Sequence, residues 1–461
     1  MNTDMANVIQ EKADRIRDVI RYIRRFKNAL IVIYLDEDLI DSPLFLSHIK
    51  DICFIHEAGL KIIMVPGAAK RIDEVLKNAG IEWQINNGCR ITPPEAMSLI
   101  KMAAFDVSNK VMTAFATEKL TTVIGNWVQA RGKGIINGID YGTSGEVDKL
   151  NVDSVQTVLN NGFIPIFPCI GWSSTGKPYN ISSIELSKQI AVHLKADKLF
   201  FVLPKAQITT GHFIIPAQTA VSAENTVPAL NLDEVDEFLE KNACSNQSSS
   251  NKEVLQNEAD DVPREKIFRL LSLAKEACKE GVTRIHILDG SVNGTIPCEI
   301  FSDFGSGTMI YASNYGKIRS MIREDIAGVL TLMQPFVNEG ILLPRTKESL
   351  NNQLENYIVY EIDGAIRACA SLIPYPDGQM EIAGVAVDKT CSHTGIGPKL
   401  ISYLIEKAKK EGAKSIFLLT TQTADWFEKL GFAAADVSSI PAERKALWTP
   451  KRGSKVMRLS I

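Results

Sequence analysis

Short apolar runs separated by amphipathic stretches dominate the N-terminal part of the chain. The runs are continuous and rich in β-branched or aromatic residues, which is typical of strands buried on both faces; they span 29–35, 60–65, 163–168, 198–203 and 284–289. Helical periodicity fills the intervals, most clearly over 94–119, 182–195 and 263–281. A glycine-rich stretch over 125–152 predicts a hairpin excursion. Strands alternating with helices predict an α/β fold with helices covering a mostly parallel sheet.

The pattern changes near residue 312, where shorter strands follow one another without a helix between each pair. Helices are predicted over 322–338, 346–356, 396–411 and 423–430, and strands over 357–363, 366–373, 381–388, 414–420 and 455–460. We therefore divide the chain into an N-terminal helix, 1–27, a domain over 28–312 and a smaller α/β domain over 313–461. The polar segment 244–262 has little to bury, and we interpret it as a flexible insertion in the first domain.

Length, charge and cysteine content indicate how many domains to expect and which partners to exclude. A chain of 461 residues exceeds one ordinary core, and a net charge of −3 gives no reason to expect a nucleic-acid partner. The basic residues of the N-terminal helix are most simply a solvated face; they are Arg15, Arg17, Arg21, Arg24, Arg25 and Lys27. No apolar run reaches about 18 residues and no signal peptide is evident, so we expect a cytoplasmic protein without a membrane span. Scattered cysteines without a CxxC pair, and histidines that do not cluster, predict a reducing compartment and no metal.

Two glycines lie between a predicted strand and a predicted helix. The segment from Glu381 to Gly397 reads EIAGVAVDKTCSHTGIG, and apolar residues then recur with helical period from Ile396 onwards. Gly395 and Gly397 would let backbone N–H groups approach a ligand, and the partial positive charge of the helix N-terminus favours an anion. The pattern fits a diphosphate cradle, although two glycines in this spacing also occur in ordinary turns.

Several motifs in this order resemble the GNAT acetyltransferases, and most closely the acetyltransferase domain of the N-acetylglutamate synthase family. The matching segments are the strand Glu381–Val387, the LTT…WF…GF stretch between Leu419 and Phe432, the Ile-Pro pair at 440–441 and the basic KR-S-K strand at 451–455. The resemblance implies acetyl-CoA as co-substrate, held by Val385, Val387, Ser392, Gly395, Ile396 and Gly397. Ser392 stands where the family usually has Arg or Gln, and Pro344 where it usually has a basic residue.

The resemblance also implies an activity and a set of roles. An amine must be neutral to attack a thioester, so a base is needed, and the family's catalytic glutamate falls on Glu381. Thr420 matches a family hydroxyl that protonates the leaving thiolate or holds the substrate. Arg345 and Arg452 match the arginines that bind glutamate, whose two carboxylates suit guanidinium groups. The implied enzyme is an amino-acid N-acetyltransferase that converts L-glutamate to N-acetylglutamate, the first step of arginine biosynthesis. From the residues alone, each of these side chains could instead be structural or solvent-exposed.

The first domain resembles the amino-acid kinase fold, a three-layer α/β/α sandwich, and N-acetylglutamate kinase in particular. The matching stretches are GIDYGTSG (138–145), GFIPIF (162–167), KADKLFFVL (195–203) and the segment 281–310. In active kinases of this family the first strand ends with a Lys that is followed by Gly-Gly, and the second loop is usually His-Gly-Gly-Gly-Pro. In this chain Ile33, Leu35 and Asp36 stand at the positions of the Lys and the Gly-Gly pair. The second loop reads PGAAK, from Pro66 to Lys70. A carboxylate would repel ATP phosphates and added Cβ atoms would block their approach, so we predict no phosphoryl transfer.

A retained kinase fold without kinase parts suggests regulation. In the arginine-controlled members, arginine binds near the end of this domain, and the matching positions are His286, Glu299, Gly305 and Gly307. The resemblance therefore implies an L-arginine effector, and the N-terminal helix implies a homo-oligomer, either a tetramer or a hexamer. Three alternatives stay open: a sensor that binds ligands without reacting, an acetylglutamate kinase with an accessory acetyltransferase domain, and an acetyltransferase for another amine. No nucleic acid or membrane partner is expected.

Overall fold

The computed structural model describes residues 26–86, 88–216, 219, 221–222, 224–244, 264–301, 305–312, 316–362, 365–388, 396–449 and 452–460, with positions 9, 13, 16–17, 19–20 and 22–24 before them. The chain divides into two compact units, Met1–Ala312 and Ser313–Ile461, which are described separately. Ser392, Gly395 and nearly all of the predicted insertion over 244–262 lie outside the described residues.

The first unit is built on a mostly parallel sheet. Its strands and those of the smaller sheets are β1 Leu30–Leu35, β2 Lys61–Pro66, β3 Gln84–Asn86, β4 Cys89–Ile91, β5 Thr122–Ile124, β6 Val128–Gly132, β7 Ile135–Ile136, β8 Ile139–Asp140, β9 Gly145–Leu150, β10 Ile164–Ile166, β11 Ile170–Trp172, β12 Pro178–Asn180, β13 Lys198–Leu203, β14 Ala229–Asn231, β15 Arg284–Asp289 and β16 Thr308–Tyr311. The main sheet has the order β14-β16-β15-β13-β1-β2-β10-β5. β1 pairs in parallel with both β2 and β13, whereas β15 and β16 run antiparallel.

Helices cover both faces of this sheet. They are α1 Glu37–Ile40, α2 Phe45–Glu57, α3 Ala69–Asn78, α4 Met97–Thr117, α5 Val152–Asn160, α6 Ser183–His193, α7 Leu232–Cys244, α8 Arg264–Lys279 and α9 Thr295–Phe301. Alternate residues of β1 enter different cores: Val32 and Tyr34 pack with α5, α6 and α8, while Ile31 and Ile33 pack with α2, α3 and α4. The result is the three-layer α/β/α architecture that the sequence predicts.

The glycine-rich excursion forms a separate small sheet. Strands β6 and β9 pair antiparallel and join β11 and β12 in the order β12-β11-β6-β9, and β7 and β8 form a hairpin between them. Gly138 has φ +80° at the β7–β8 turn, a conformation that glycine adopts without a steric penalty. The hairpin excursion predicted over 125–152 is therefore present.

The second unit has a single mixed sheet over its described residues. Its strands are β17 Gly316–Ser320, β18 Tyr357–Ile362, β19 Ala365–Pro374, β20 Gln379–Val387, β21 Ser415–Thr420, β22 Ala433–Ala435 and β23 Lys455–Ser460, in the order β17-β18-β19-β20-β21-β23-β22. The helices are α10 Ile326–Asn338, α11 Lys347–Asn351, α12 Ile396–Lys410, α13 Ala424–Lys429 and α14 Ala442–Lys445. α12 packs on one face of the sheet and α10 on the other. β20 and β21 are the parallel pair at its centre.

Several elements of the second unit differ from the sequence prediction: β17, β22 and α14 were not predicted, and the helix predicted over 322–338 begins at Ile326. The helix predicted over 346–356 ends at Asn351 and is followed by a 3-10 turn, Leu354–Asn356, because consecutive asparagines compete for the backbone hydrogen bonds that would continue it. β22, an edge strand of the sheet, consists of three alanines, Ala433–Ala435, which favour a helix by propensity but pair with β23. The α/β class itself is confirmed.

Candidate functional site

The two central strands of the second unit part at their carboxyl ends. β20 pairs with β21 only from Gln379–Ser415 to Ile382–Leu418, although β19 stays paired with β20 as far as Val387. The backbone from Ala383 to Val387 thus has no strand against its β21 side among the described residues. Free N–H and C=O groups along a strand edge can hold an extended ligand arm by strand addition. Val385 and Val387, predicted to bind acetyl-CoA, lie on this edge.

A bulge lies where the strands part. The β19–β20 register shifts between Cys369–Ala386 and Ser371–Ala383, so β20 carries one extra residue there. Gly384 has φ +61°, which explains a glycine at this position. A Cβ on Gly384 would also lie 3.1 Å from the Tyr357 hydroxyl oxygen. The bulge changes the direction of the β20 backbone at the point where β20 and β21 stop pairing.

Packing at the start of α12 explains the glycine at position 397, one of the two glycines predicted to bind the diphosphate. Ile396 is buried, and a Cβ added to Gly397 would lie 3.1 Å from Cζ2 of Trp426. Gly397 therefore lets the first turn of the helix contact the Trp426 ring closely. The preceding loop, with Ser392 and Gly395, lies outside the described residues, and their binding roles stay predictions.

Glu381 is almost completely buried and is held by two donors. Arg444 on α14 donates from Nε to both carboxylate oxygens at 2.9 Å, and the Tyr375 hydroxyl donates to Oε2 at 2.9 Å. Burial, followed by the charge of Glu381, raises the pKa of Tyr375. Because Glu381 is only 3% exposed, the Arg444 ion pair is the main compensation for its charge. A carboxylate engaged in this way suits proton transfer through a water better than direct contact with the amine.

Sequence reasoning missed both partners of Glu381. Arg444 lies 63 positions away, and no periodicity or spacing links the two. Tyr375 could have been suspected, because residues 375 and 381 occupy a β-hairpin and tyrosine hydroxyls at buried positions usually find a partner. The pairing follows from the tertiary position of α14 over the sheet.

Thr420 ends β21 and organises the turn into α13. Its Oγ1 accepts a hydrogen bond from the Thr423 backbone N–H at 3.1 Å and lies 2.8 Å from Thr423 Oγ1. The side chain is buried. These bonds give Thr420 a structural role, and its predicted part in the reaction stays a prediction.

Arg345 and Arg452 come from two segments that meet. Arg452 donates from Nη2 to the carbonyl oxygen of Ile341 at 3.0 Å. This bond connects the segment that precedes β23 to the loop that carries Arg345. Nε of Arg345 is buried and has no hydrogen-bond partner among the described residues. The predicted pair of arginines is thus linked through one loop.

Other buried polar atoms of the second unit also lack partners within the described part of the chain. They are the Tyr357 hydroxyl, Thr421 Oγ1, Trp448 Nε1 and Gln379 Oε1. A buried polar group without a partner costs about 1–3 kcal/mol, and such groups are rare in folded proteins. Two of them lie at the opening: the Tyr357 hydroxyl is beside the Gly384 bulge, and Thr421 directly follows the end of β21. A polar ligand in the opening would give these two groups partners.

In the first unit, carboxylates occupy the strand ends where a kinase of this fold would hold phosphate. Asp36, directly after β1, is fully buried and forms an ion pair with Lys266. Glu37 packs against Gly67, where an added Cβ would lie 2.2 Å from Glu37 Oε2. Tyr34 donates to both carboxylates at 3.1 Å. Burial raises the pKa of Glu37, and the adjacent Asp36 raises it further. An incoming phosphate would meet negative charge and a cation that is already paired.

A cavity of about 300 Å³ opens beside these carboxylates. Its cations already have partners in the first unit: Lys110 contacts Asp41 at 2.8 Å, and Arg71 contacts Asp106 at 2.9 Å. Lys70 contacts Asp41 at 3.3 Å. The cavity therefore offers no uncompensated positive charge for a polyphosphate.

The predicted effector residues converge around β15, the third strand from one edge of the main sheet. Glu299 on α9 forms a hydrogen bond with Nδ1 of His286 on β15 and accepts a bond from the Gly307 N–H at 3.0 Å. A Cβ on Gly305 would lie 2.5 Å from the Glu299 carboxylate, so this glycine makes room for it. Burial lowers the pKa of His286 to about 4. Burial acts to raise the pKa of Glu299, but His286, the Gly307 N–H and Lys198 together lower it, and the net shift is downward. Near neutral pH the site therefore holds a buried anion beside a neutral imidazole.

Lys198 is a charged neighbour that sequence reasoning missed. It opens β13 and is 4% exposed, and its register partner is Arg284, two residues before His286. Burial lowers its pKa to about 7, and the charge of Arg284 adds to this effect. Its Nζ lies 4.5 Å from the centroid of the Phe26 ring. The sequence contained one indication of this residue: a lysine begins the apolar run that forms the fully buried strand β13.

We expect the first unit to lose stability in mild acid because of His286. The unfolded histidine binds a proton near pH 6.5, whereas the folded one binds it near 4. The free energy of unfolding should therefore fall as pH decreases from about 6.5 to about 4, by up to about 3 kcal/mol from this group. Urea unfolding of wild type and His286→Gln near pH 7 and near pH 5 measures the effect.

The variant should lose the part of the pH dependence that His286 contributes. His193→Gln, at the exposed end of α6, is the matched control and should behave as wild type. Equal pH dependence in wild type and His286→Gln would contradict the assignment.

No group of three or more His, Cys, Asp or Glu side chains among the described residues is arranged to hold a metal ion. Among the helices described, none combines the length and the apolar character needed to cross a membrane.

Two family profiles match the chain. The Amino acid kinase family matches residues 8–289, and the Acetyltransferase (GNAT) family matches residues 329–432. The two matches fall in the two structural units. The three-layer α/β/α unit therefore matches the Amino acid kinase family, and the unit whose central strands part matches the GNAT family.

Relatives resemble the chain over its full length. An amino-acid acetyltransferase of Photobacterium profundum is 31% identical over 95% of this chain and 96% of the relative. The enzyme of the same description from Ralstonia nicotianae is 29% identical over 97% and 95%. N-acetylglutamate synthase from Neisseria gonorrhoeae with coenzyme A and L-arginine superimposes with a TM-score of 0.78, at 25% identity, over 97% and 99%. The same enzyme with coenzyme A and N-acetyl-glutamate gives 0.58 over the same shares.

Proposed function

Because the chain belongs to the amino-acid acetyltransferases, which here combine an amino acid kinase family domain with a GNAT domain, we propose that its acceptor is L-glutamate and its donor acetyl-CoA. The product is then N-acetylglutamate, made in the first step of arginine biosynthesis. The observation that carries the proposal is the open edge of β20 in a unit with several unpartnered buried polar groups. The similar enzyme structures contain coenzyme A, N-acetyl-glutamate and L-arginine.

The acetyl donor fits the opening between β20 and β21. In the proposed complex the extended pantetheine arm adds alongside Ala383–Val387, and backbone N–H groups at the Gly384 bulge face the thioester carbonyl. Donors fixed there would stabilise the negative charge that develops on that oxygen as the amine attacks. The start of α12 would lie towards the diphosphate, whose charge suits a helix N-terminus.

The remaining side chains are given roles in moving protons and in binding the acceptor. The amine nitrogen forms a bond to the carbonyl carbon, the carbon–sulfur bond breaks, and the sulfur leaves as a thiolate. Glu381 takes the proton that the ammonium group must lose, through a water because Arg444 and Tyr375 engage its oxygens. The nitrogen loses a second proton once it is bonded to the carbonyl carbon, and the Thr420 hydroxyl relays this proton to the thiolate, so that Thr420 ends as a hydroxyl and the sulfur as a thiol. Arg345 and Arg452 bind the carboxylates of glutamate, as guanidinium groups do well.

The first unit is proposed to act as a regulatory domain that binds L-arginine. Glu299 is a buried anion that accepts hydrogen bonds from His286 and from the backbone N–H groups of Ser306 and Gly307, but it has no lysine or arginine within ion-pair distance in the described residues. A guanidinium would add the missing positive charge. Phosphoryl transfer is not proposed, because Asp36 and Glu37 occupy the strand ends. We further propose that the enzyme is cytoplasmic and works as a homo-oligomer.

The deciding experiment is coenzyme A release from acetyl-CoA with glutamate, glutamine, aspartate and a lysine peptide as acceptors, with and without arginine. The proposal expects turnover with glutamate well above that with the others, and a change when arginine is added. Turnover with a different amine would replace the acceptor, and absence of turnover with all of them would remove the function. N-acetylglutamate with ATP serves as the kinase assay and should give no phosphorylation.

Replacing Glu299 with glutamine should weaken the arginine response. A guanidinium–carboxylate pair becomes a neutral hydrogen bond, so the arginine concentration for half-maximal effect should rise at least about tenfold. Turnover without arginine should not change. Glu276→Gln is the matched control, because that carboxylate pairs with Lys188 at 2.9 Å elsewhere in the same unit. An unaltered arginine response in Glu299→Gln would rule out this effector site.

A further inference from the structure

The hydroxyl of Tyr357 is the most completely buried of the unpartnered polar groups in the second unit. Tyr357 opens β18 with 0% exposure, and its hydroxyl has no hydrogen-bond partner among the described residues. Buried tyrosines normally place the hydroxyl where it finds a partner, since leaving it unpaired costs free energy. A phenylalanine would fill the same space without that cost. The hydroxyl therefore needs a reason outside the folding of the chain.

The neighbours of this hydroxyl place it at the bulge of β20. Tyr357 pairs with Ser371 across β18 and β19, and Ser371 pairs with Ala383 across β19 and β20. Ser371 Oγ is already used, because it donates to the Ala383 carbonyl at 2.9 Å. Beyond it lies Gly384, whose missing side chain leaves the space next to the hydroxyl open. The Tyr357 O–H is thus free to donate at the point where the central strands part.

A second unpaired donor approaches from the loop between α10 and α11. Nε of Arg345 is buried without a partner in the described part of the chain. The pKa of Tyr357 is raised by burial, and the nearby charge of Arg345 opposes that effect. Arg452 fixes this loop through the Ile341 carbonyl. Arg345 and Ser371 lie close enough to the Tyr357 oxygen to lower its pKa as hydrogen-bonding neighbours, yet neither the Tyr357 hydroxyl nor Nε of Arg345 has a bond of good geometry within the described residues. The two groups therefore face one small region, and each has a proton left to donate.

We propose that the Tyr357 hydroxyl and Arg345 form one binding subsite for a carboxylate of the acceptor amino acid. A carboxylate brings two acceptor oxygens and one negative charge, so it can satisfy the hydroxyl and the guanidinium together. Tyr357 is then a specificity residue whose hydroxyl serves the ligand and not the fold. This inference rests on the proposed function, since it assumes an amino-acid acceptor bound at the β20 bulge.

Tyr357→Phe separates a ligand role from a folding role. Because the hydroxyl has no partner in the free protein, the melting temperature should stay the same or rise. KM for glutamate should increase about tenfold, the effect of losing one hydrogen bond to a charged group. kcat and KM for acetyl-CoA should stay within about twofold. Tyr360→Phe, on the same strand but facing the α12 side, is the matched control.

A double substitution tests whether the two donors share a ligand group. If they do, adding Tyr357→Phe to Arg345→Gln should raise KM for glutamate by much less than tenfold, because the two losses overlap. Independent, multiplying effects would overturn the shared subsite. An unchanged KM in Tyr357→Phe, with wild-type turnover of glutamate, would overturn the inference and leave the proposed function standing.

Direct binding keeps the two proposals distinguishable. Glutarate, a dicarboxylate without an amine, can be titrated into the full-length protein in the presence of coenzyme A. If glutamate is not acetylated but glutarate binds and Tyr357→Phe weakens that binding about tenfold, the subsite stands and the acceptor assignment falls. If wild type neither turns over glutamate nor binds glutarate, both are wrong.

Discussion

Replacing Glu381 with glutamine should lower kcat by roughly 10²- to 10⁴-fold, the range typical for loss of a general base. The amide keeps the shape and can still contact Arg444 and Tyr375, but it cannot accept the proton that the ammonium group of the acceptor must lose. KM for acetyl-CoA should change little, because the open backbone edge of β20 is untouched. Steady-state kinetics with glutamate measure the change, and circular dichroism checks that the variant is folded.

The control for this substitution is another engaged carboxylate in the same unit. Glu361 on β18 accepts from Nε of Arg319 at 2.7 Å and lies away from the parting of the central strands. Glu361→Gln should leave kcat within about threefold of wild type. A rate for Glu381→Gln that is likewise within threefold would remove Glu381 from the mechanism.

Replacing Arg444 with alanine should destabilise the second unit by about 3 kcal/mol and also reduce kcat. The substitution leaves the Glu381 carboxylate buried at 3% exposure with only Tyr375 as a donor, and an uncompensated buried charge is costly. Without its main partner the carboxylate also loses its fixed orientation, so we expect kcat to fall at least about tenfold. Urea unfolding and steady-state kinetics measure the two effects. Arg444→Lys should restore part of both.

A second substitution distinguishes the lost ion pair from lost packing. Combining Arg444→Ala with Glu381→Gln removes the buried charge, so the double variant should be more stable than Arg444→Ala alone. Arg319→Ala is the comparison, because Arg319 contacts Asp325 and Glu361 and takes no part in the proposed site. If the double variant is as unstable as the sum of the two single variants, the ion pair with Glu381 does not explain the role of Arg444.

The strands of the first unit were predictable because each is a short, continuous apolar run. The runs over 198–203 and 284–289 coincide with β13 and β15, and burial on both faces leaves little freedom in where such strands begin and end. The edge strands were less predictable. β14 and β22 have three residues each, too few to establish a period, and their pairing partners stabilise them.

The candidate site was only partly predictable. The residues carried by motif resemblance, such as Glu381, Arg345 and His286, could be named from the sequence because each lies in a recognisable segment. Their partners could not. Arg444, which holds Glu381, and Tyr357, which faces the β20 bulge, belong to segments with no distinguishing pattern.

The sequence by itself determined the α/β class, and it supplied the proposed domain division and the candidate site residues, because hydrophobic period and local motifs are properties of neighbouring residues. The tertiary structure decided which of these side chains are engaged and which are left open. It pairs Asp36 with Lys266 across 230 positions and Glu381 with Arg444 across 63, while leaving the hydroxyl of Tyr357 without a partner in the described chain. Such pairings depend on burial and charge at contacts between distant segments, which no local pattern encodes.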